Sequence, residues 1–138
     1  MLTSHQASAI IAAGEARASA LGVRVNIAVL DAGAHLKAFS RMDGAVLGSI
    51  DVALKKAATA ALFETTSEAV WEYCKPGAPA HALEHTNRGL APFAGGLPLR
   101  GDQGELLGAI GVSGGAVSED LEIAVAAIAA LSPPGRRT

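Results

Sequence analysis

The sequence has few cysteines, few charges and no long apolar run, and each absence excludes a class of protein. Its one cysteine, Cys74, cannot form a disulfide within the chain, which suits a reducing compartment. Only 17% of the residues are charged and the net charge is -2, so nothing favours nucleic acid or an anionic membrane as a partner. No apolar run approaches the roughly 20 residues of a membrane span, and the start of the chain does not resemble a secretory signal. We therefore expect a cytoplasmic protein.

Aromatic residues are scarce as well, at 4% of the chain, whereas half of the 138 residues are apolar and 16 are glycine. A chain of this length buries roughly two thirds of its unfolded surface, which is enough for one core. We expect a single domain over residues 1–138, with 132–138 as a flexible tail. A small chain cannot easily bury so many apolar residues alone, so we expect a homo-oligomer. Because its charge favours neither nucleic acid nor a membrane, a small molecule is the ligand that we expect.

The first part of the chain predicts a helix followed by a β-hairpin. Residues 3–21 have apolar positions at helical spacing and a capping residue at Thr3 or Ser4. The period then changes to that of a strand over 23–30, and the Asp-Ala-Gly turn at 31–33 leads into a returning strand.

Three more helices follow from the periodicity. A long helix is predicted over 46–64, with Lys56 and Thr59 on its outward side. The stretch TTSE at 65–68 has the pattern of a capping box and predicts a short helix after it. The closing helix carries Asp120 in its first turn, where a carboxylate complements the helix dipole.

Two glycine-punctuated apolar pieces, LAPFAGGLPLR and ELLGAIGVSGG, predict two or three further strands, joined by a tight turn at GDQG. Because consecutive strands are joined by turns too short for a parallel crossover, the sheet should be largely antiparallel with helices packed on it. The sequence therefore predicts an α+β domain.

Four stretches, AVLDAGAHLKAFSRMDGA, VALKKAATAALF, FAGGLPLRGDQGELLGAIGVSGG and SEDLEIA, resemble the GlcG/HbpS family in this order. That family is the haem-binding or haem-degrading type of domain that also forms the C-terminal part of PduO proteins. The resemblance runs from about residue 4 to 131. It implies a profilin-like or PAS-like fold, with an antiparallel sheet of about five strands flanked by helices, and assembly into dimers or larger rings.

The resemblance implies activity less directly, because some relatives bind haem or act as haem-linked redox sensors and others have no settled chemistry. It makes haem the ligand that we expect first. The positions that match the family motif are Asp31, Gly33, Arg41, Asp43, Gly44, Lys56, Gly95, Gly96, Pro98 and Gly108 to Gly115.

His81 and His85, in the stretch HALEH, match the H-x-x-E-H pattern of a family of zinc proteases. On a helix the two imidazoles would lie one turn apart on the same face, and Glu84 could act as a base or third ligand. A catalytic zinc needs three protein ligands, and the protease pattern needs a larger domain. A divalent metal at both histidines, one histidine on a haem iron, and two solvent-exposed side chains remain open alternatives.

The stretch GVSGG, from Gly111 to Gly115, fits the G-x-S-x-G pattern of a nucleophile elbow. The hydrolase order requires a histidine after the serine, and none follows His85. A better interpretation is a cradle in which N–H groups of Gly111, Gly114 and Gly115 hold a carboxylate, a haem propionate or a phosphate, with Ser113 as a hydrogen-bond donor. The structural alternative is a tight turn between strand and helix.

A haem iron needs only one imidazole from the protein, so an axial ligand requires no spacing motif. His35, which follows the hairpin turn, and His5, in the first helix, are candidates beside His85. Cys74 could be a soft iron ligand, although a small packing residue is its more common role.

Arg41, Asp43 and Lys56 are the remaining polar candidates. Arg41 suits bidentate recognition of a carboxylate, and Lys56 could act as a base or anchor if burial lowers its pKa. The structural alternative is that Asp43 caps the long helix and pairs with Arg41, while Lys56 belongs to a solvated face.

Two functions follow from these residues. The first is an oligomeric small-molecule binding protein of the GlcG/HbpS type with haem as its ligand. The second is a cofactor-independent isomerase or lyase on a small carboxylate or aromatic catabolite. In it Glu84 or His85 moves a proton, while Arg41, Lys56 and the turn from Gly111 to Gly115 hold an anion. A metal-dependent hydrolase built on His81, Glu84 and His85 is a weaker version of the second.

Overall fold

The computed structural model describes residues 1–131, and the predicted tail, 132–138, lies outside the described residues. Its helices are α1 (Ser4–Leu21), α2 (Ser49–Phe63), α3 (Ser67–Cys74) and α4 (Val117–Ile128). Its strands are β1 (Asn26–Asp31), β2 (Leu36–Arg41), β3 (Gly96–Arg100) and β4 (Leu106–Ser113), and short 3-10 turns lie at Leu83–His85 and Ala129–Leu131. None of the helices described in this range is long and apolar enough to cross a membrane.

The strands form one antiparallel sheet in the order β2-β1-β4-β3. One sheet face carries branched side chains, such as Ile27 of β1 and Ile110 of β4, and these pack with α1 and α4. The other face carries small residues and packs against α2. A Cβ on Gly111 would overlap the carbonyl oxygen of Ala53, so glycine is what allows α2 to approach β4 this closely. The predicted α+β class is confirmed.

The described residues contain four strands, where about five were expected. The piece LAPFAGGLPLR begins to pair only at Gly96. Before that point its backbone bonds to helix side chains, because Ala91 N donates to Thr59 Oγ1 at 3.0 Å and Ser67 Oγ donates to the carbonyl of Phe93 at 2.6 Å. Those groups are therefore not available for a fifth strand.

The helix positions agree with the sequence predictions, while two details differ. Thr3 caps α1 through a capping box with Gln6, as expected. The cap of α3 is Thr66, whose hydroxyl accepts from Ala69 N, and not Thr65. The α2 helix begins at Ser49, later than the predicted start at 46.

The buried face of α2 is rotated from the prediction. Lys56 and Thr59 were expected to face outward, yet both are buried together with Ala53, Ala57 and Ala60. These five positions follow the helical spacing of a single face. The prediction was wrong because it placed the larger apolar residues inward, whereas the close approach of α2 to Gly111 of β4 favours the alanine positions of the helix.

Candidate functional site

A buried ion pair between Lys56 of α2 and Asp120 of α4 lies at the end of β4. The Lys56 Nζ atom is 2.9 Å from Asp120 Oδ2 and 2.8 Å from the carbonyl oxygen of Val112. The two side chains are only 1% and 2% exposed. Burial lowers the pKa of Lys56 and raises the pKa of Asp120, and the contact between the two groups opposes both shifts. The contact therefore opposes the loss of charge that burial favours at each group.

The glycine turn after β4 presents its N–H groups to a carboxylate, as the cradle hypothesis expected, but that carboxylate belongs to the protein itself. The Gly115 N–H donates to Asp120 Oδ1 at 2.9 Å, and a hydrogen bond from the Gly114 N–H also lowers the Asp120 pKa. Gly111 lies within β4 against α2, and Ser113 is buried at the end of the strand. Asp120, which the sequence pattern assigned to the helix dipole, is thus the anion of this turn.

Lys56 does not face a substrate, since its ammonium is surrounded by protein groups. Apart from Val112 and Asp120, the ring of Phe93 lies with its centroid 5.5 Å from Nζ. Ser67 holds the loop that carries this ring, because its hydroxyl accepts from Gly96 N at 2.9 Å. The enclosed ammonium fits a structural role that ties α2, β4 and α4 together.

The HALEH stretch does not form the helix that would place both imidazoles on one face. A 3-10 turn covers only Leu83–His85, and Ala82 before it has left-handed backbone with φ of 72°. His81 lies outside that turn, so the two imidazoles do not share a helical face. Within residues 1–131 there is no cluster of three or more His, Cys, Asp or Glu side chains suited to a metal ion. A metal at His81 and His85 therefore stays a prediction without the helical spacing that motivated it.

Glu84 turns inward, toward the end of α3. Its Oε1 atom is buried without a hydrogen-bond partner among the described residues. Cys74, the last residue of α3, is fully buried, and burial followed by the nearby Glu84 carboxylate raises the pKa of its thiol. Glu84 is therefore not displayed as a base beside the histidines, and Cys74 is a packing residue.

The four histidines are exposed and lie on three separate parts of the chain. His5 is in the first turn of α1, and His81 and His85 belong to the loop after α3. His35 follows the β1–β2 turn, with its imidazole 84% exposed and its Nδ1 atom 3.6 Å from Asp31 Oδ1. The same carboxylate closes the turn by accepting backbone N–H bonds. An imidazole is thus accessible at several places on the surface.

Arg41 and Asp43 do not form the pair that the sequence suggested. No ion pair joins them within the described range, and α2 begins at the backbone of Gly48 without a side-chain cap. Both residues instead line a surface cleft together with Arg24. The sequence analysis missed Arg24, for which no motif gave a signal.

The residues of the predicted isomerase or lyase do not converge. Lys56 is enclosed by Asp120, Glu84 is directed toward α3, and Arg41 lines the separate cleft at the end of β2. A proton-transfer step requires its base and its anion-binding groups to meet at one substrate, and this arrangement does not supply that.

The chain matches known proteins over nearly its whole length. Residues 2–129 match the model of the family described as haem degrading protein HbpS-like. The chain is 36% identical to the corrinoid adenosyltransferase PduO of Salmonella typhimurium over 95% of its own length, but it spans only 39% of that protein. It is 39% identical to protein GlcG of Escherichia coli K12, covering 82% of this chain and 81% of GlcG.

Solved structures show the same likeness. The Klebsiella pneumoniae protein ORFY matches with a TM-score of 0.90 and 32% identity, covering 94% of this chain and 89% of that one. The structure of a PduOC:heme complex matches with a TM-score of 0.89 and 37% identity over 94% of both chains. Sequence and fold therefore agree with the resemblance found in the motifs, and the chain belongs to the HbpS-like family.

Proposed function

We propose that this protein binds haem, or a related planar molecule, as a homo-oligomer. The observation that carries the proposal is the PduOC structure, which was determined as a complex with haem and is 37% identical to this chain over 94% of its length. The family description, which refers to haem degradation, supports the same ligand class.

The β1–β2 hairpin exposes side chains that are suited to binding haem. His35 offers an accessible imidazole, and the next residue, Leu36, is an apolar side chain that is 60% exposed on edge strand β2. Lys37 follows and is also exposed. An imidazole for the iron, an apolar contact for the porphyrin and a cation for a propionate thus occur in consecutive residues.

A second candidate surface includes His85, in the loop that follows α3. The HALEH loop is bonded to α3, since Ala80 N donates to the carbonyl of Tyr73 at 2.8 Å. The α3 helix exposes the rings of Trp71 and Tyr73. Arg88 is exposed in the same loop as His85, and its guanidinium would suit a propionate.

Bound haem would supply an iron centre, and the residues of this chain would bind and orient it. His35 or His85 would coordinate the iron through an imidazole nitrogen. Arg41 lies at the far end of β2 from His35, roughly 20 Å along an extended strand, so it is not beside that imidazole. The N–H groups of Gly114 and Gly115 are directed to Asp120, so they are not free to hold a propionate.

The oligomer is proposed on the exposed apolar residues just before α2. Val46 and Leu47 are adjacent and are 68% and 67% exposed. A second copy of the chain that covered them would remove this apolar surface from water, which is the usual driving force of association. Light scattering coupled to gel filtration would give the mass, and a Val46→Ser, Leu47→Ser variant is expected to shift it toward the monomer.

Haem binding is tested by titrating the purified protein with hemin and following the Soret band. We expect saturation at one haem per chain. The variants His5→Ala, His35→Ala and His85→Ala compare the three candidate axial ligands: replacing the true ligand should abolish or shift the band, and the other two variants then serve as its controls. Metal analysis of the same preparation, alone and as the His81→Ala, His85→Ala double variant, tests the metal alternative.

Two results would count against this proposal. The absence of a Soret change with excess hemin would exclude haem as the ligand. A band that persists unchanged when all four histidines are replaced would exclude a histidine as the axial ligand and with it the two surfaces described above.

A further inference from the structure

A surface cleft of about 650 Å³ lies where the end of α1, the link to β1 and the end of β2 meet. It is lined by Glu15 and Ser19 of α1, by residues 22–24 and by residues 41–43. Its volume is within the usual range of small-molecule sites.

Three charged side chains in this cleft have no partner in the described part of the chain. Arg24, Arg41 and Asp43 make no hydrogen bond or ion pair there. Two other arginines do have partners. Arg17 pairs with Glu122, and Arg100, at the end of β3, donates hydrogen bonds to backbone carbonyls. The cleft therefore brings together three charged side chains that make no such contact within the described residues.

The position of Arg24 depends on the turn that follows β2. Its side chain lies over Gly44, where a Cβ would come within 2.9 Å of both the Cδ and Nη1 atoms. Gly44 also has φ of 84°, a conformation that favours glycine. The turn thus leaves room for the guanidinium beside the cleft.

The charges of the lining indicate the chemistry of a ligand. Two guanidiniums suit a carboxylate, and Asp43 accepts a hydrogen bond from a cationic donor. Glu15 is already engaged by Ser40 Oγ at 2.5 Å. The nearby C-terminal end of α1 is the negative end of its dipole, which favours a ligand that also carries a positive charge over a simple anion.

We propose that this cleft binds a small zwitterion of the amino-acid class, with its carboxylate on Arg24 and Arg41 and its ammonium on Asp43. Two positive and two negative side chains line the cleft, so a ligand with no net charge matches it. The inference does not depend on haem binding, since the cleft contains none of the proposed axial histidines.

The test is a titration of the apoprotein with L-alanine, L-leucine and L-phenylalanine, followed by NMR of the arginine Nε–H signals, with acetate and ethylammonium as single-charge probes. We expect at least one amino acid to shift the Arg24 and Arg41 signals in a saturable manner. Acetate should bind about tenfold more weakly, because it lacks the ammonium contact with Asp43.

Variants locate the binding. Arg41→Gln and Asp43→Asn should each lower the affinity for the amino acid by about tenfold or more. Arg17→Gln, at an arginine of α1 that pairs with Glu122 outside the cleft, should leave the affinity unchanged. Thermal melting checks that each variant is folded. The proposal is overturned if no amino acid binds, if acetate binds equally well, or if Arg17→Gln weakens binding as much as Arg41→Gln.

Discussion

Replacing Lys56 by methionine tests whether the buried ion pair holds the fold together. The change keeps most of the side-chain volume but leaves the Asp120 carboxylate, only 2% exposed, without its counter-ion. It also removes the donor to the carbonyl of Val112. Removing one member of a buried pair costs about 3–5 kcal/mol, a large share of the roughly 5–15 kcal/mol that stabilises a typical domain.

The adjacent residue provides a matched control. Lys55 is on the same helix, but its Nζ atom is 3.4 Å from Asp51 Oδ2 in a pair that is exposed to solvent. Lys55→Met should therefore change the free energy of unfolding by about 0.5 kcal/mol or less. Urea denaturation of both variants would measure the difference.

The same pair predicts a pH dependence. Burial raises the pKa of Asp120 above its usual 3.8, and without Lys56 only backbone N–H groups oppose that rise. A folded-state pKa above the unfolded value means that the folded protein gains protons first as the pH falls. The stability that Lys56→Met loses at neutral pH should therefore be partly regained on mild acidification.

Two outcomes would contradict the role assigned to this pair. If Lys56→Met and Lys55→Met are equally stable within about 0.5 kcal/mol, the buried pair does not hold the fold. If the deficit of Lys56→Met grows on acidification, the uncompensated carboxylate of Asp120 is not its cause.

Three further predictions concern packing, capping and reactivity. Gly111→Ala should destabilise by about 1–3 kcal/mol or more in urea denaturation, because the new Cβ overlaps the α2 backbone, whereas Gly48→Ala has open space and should be nearly neutral. Thr66→Ala should cost about 1 kcal/mol in the same assay, and Thr65→Ala much less, since Thr66 is the cap of α3. Cys74 should react with iodoacetamide far more slowly in the folded protein than in urea, because it is buried and its thiol pKa is raised; equal rates would contradict its burial.

The candidate site could be predicted only in part, and Lys56 shows why. Its side chain is charged, so local pattern rules place it on the solvated face of α2. Its burial becomes evident only from its contact with Asp120 of α4, which is 64 residues later in the chain. The stripe of alanines around it could have suggested the correct face, since the small side chains of Ala53, Ala57 and Ala60 allow the helix to lie close to the sheet.

Local chemistry was enough to identify the helices and most of the strands, and the resemblance of four stretches to a known family indicated the family. Helix periodicity, the Thr3 cap and the Asp31 turn act over a few residues, so the chain shows them directly. Packing, in contrast, was needed to reveal that Asp120 fills the glycine turn and that Arg24 joins Arg41 and Asp43 in one cleft. These arrangements depend on which elements meet, because hydrogen bonds and charges between distant residues leave no periodic signal in the sequence.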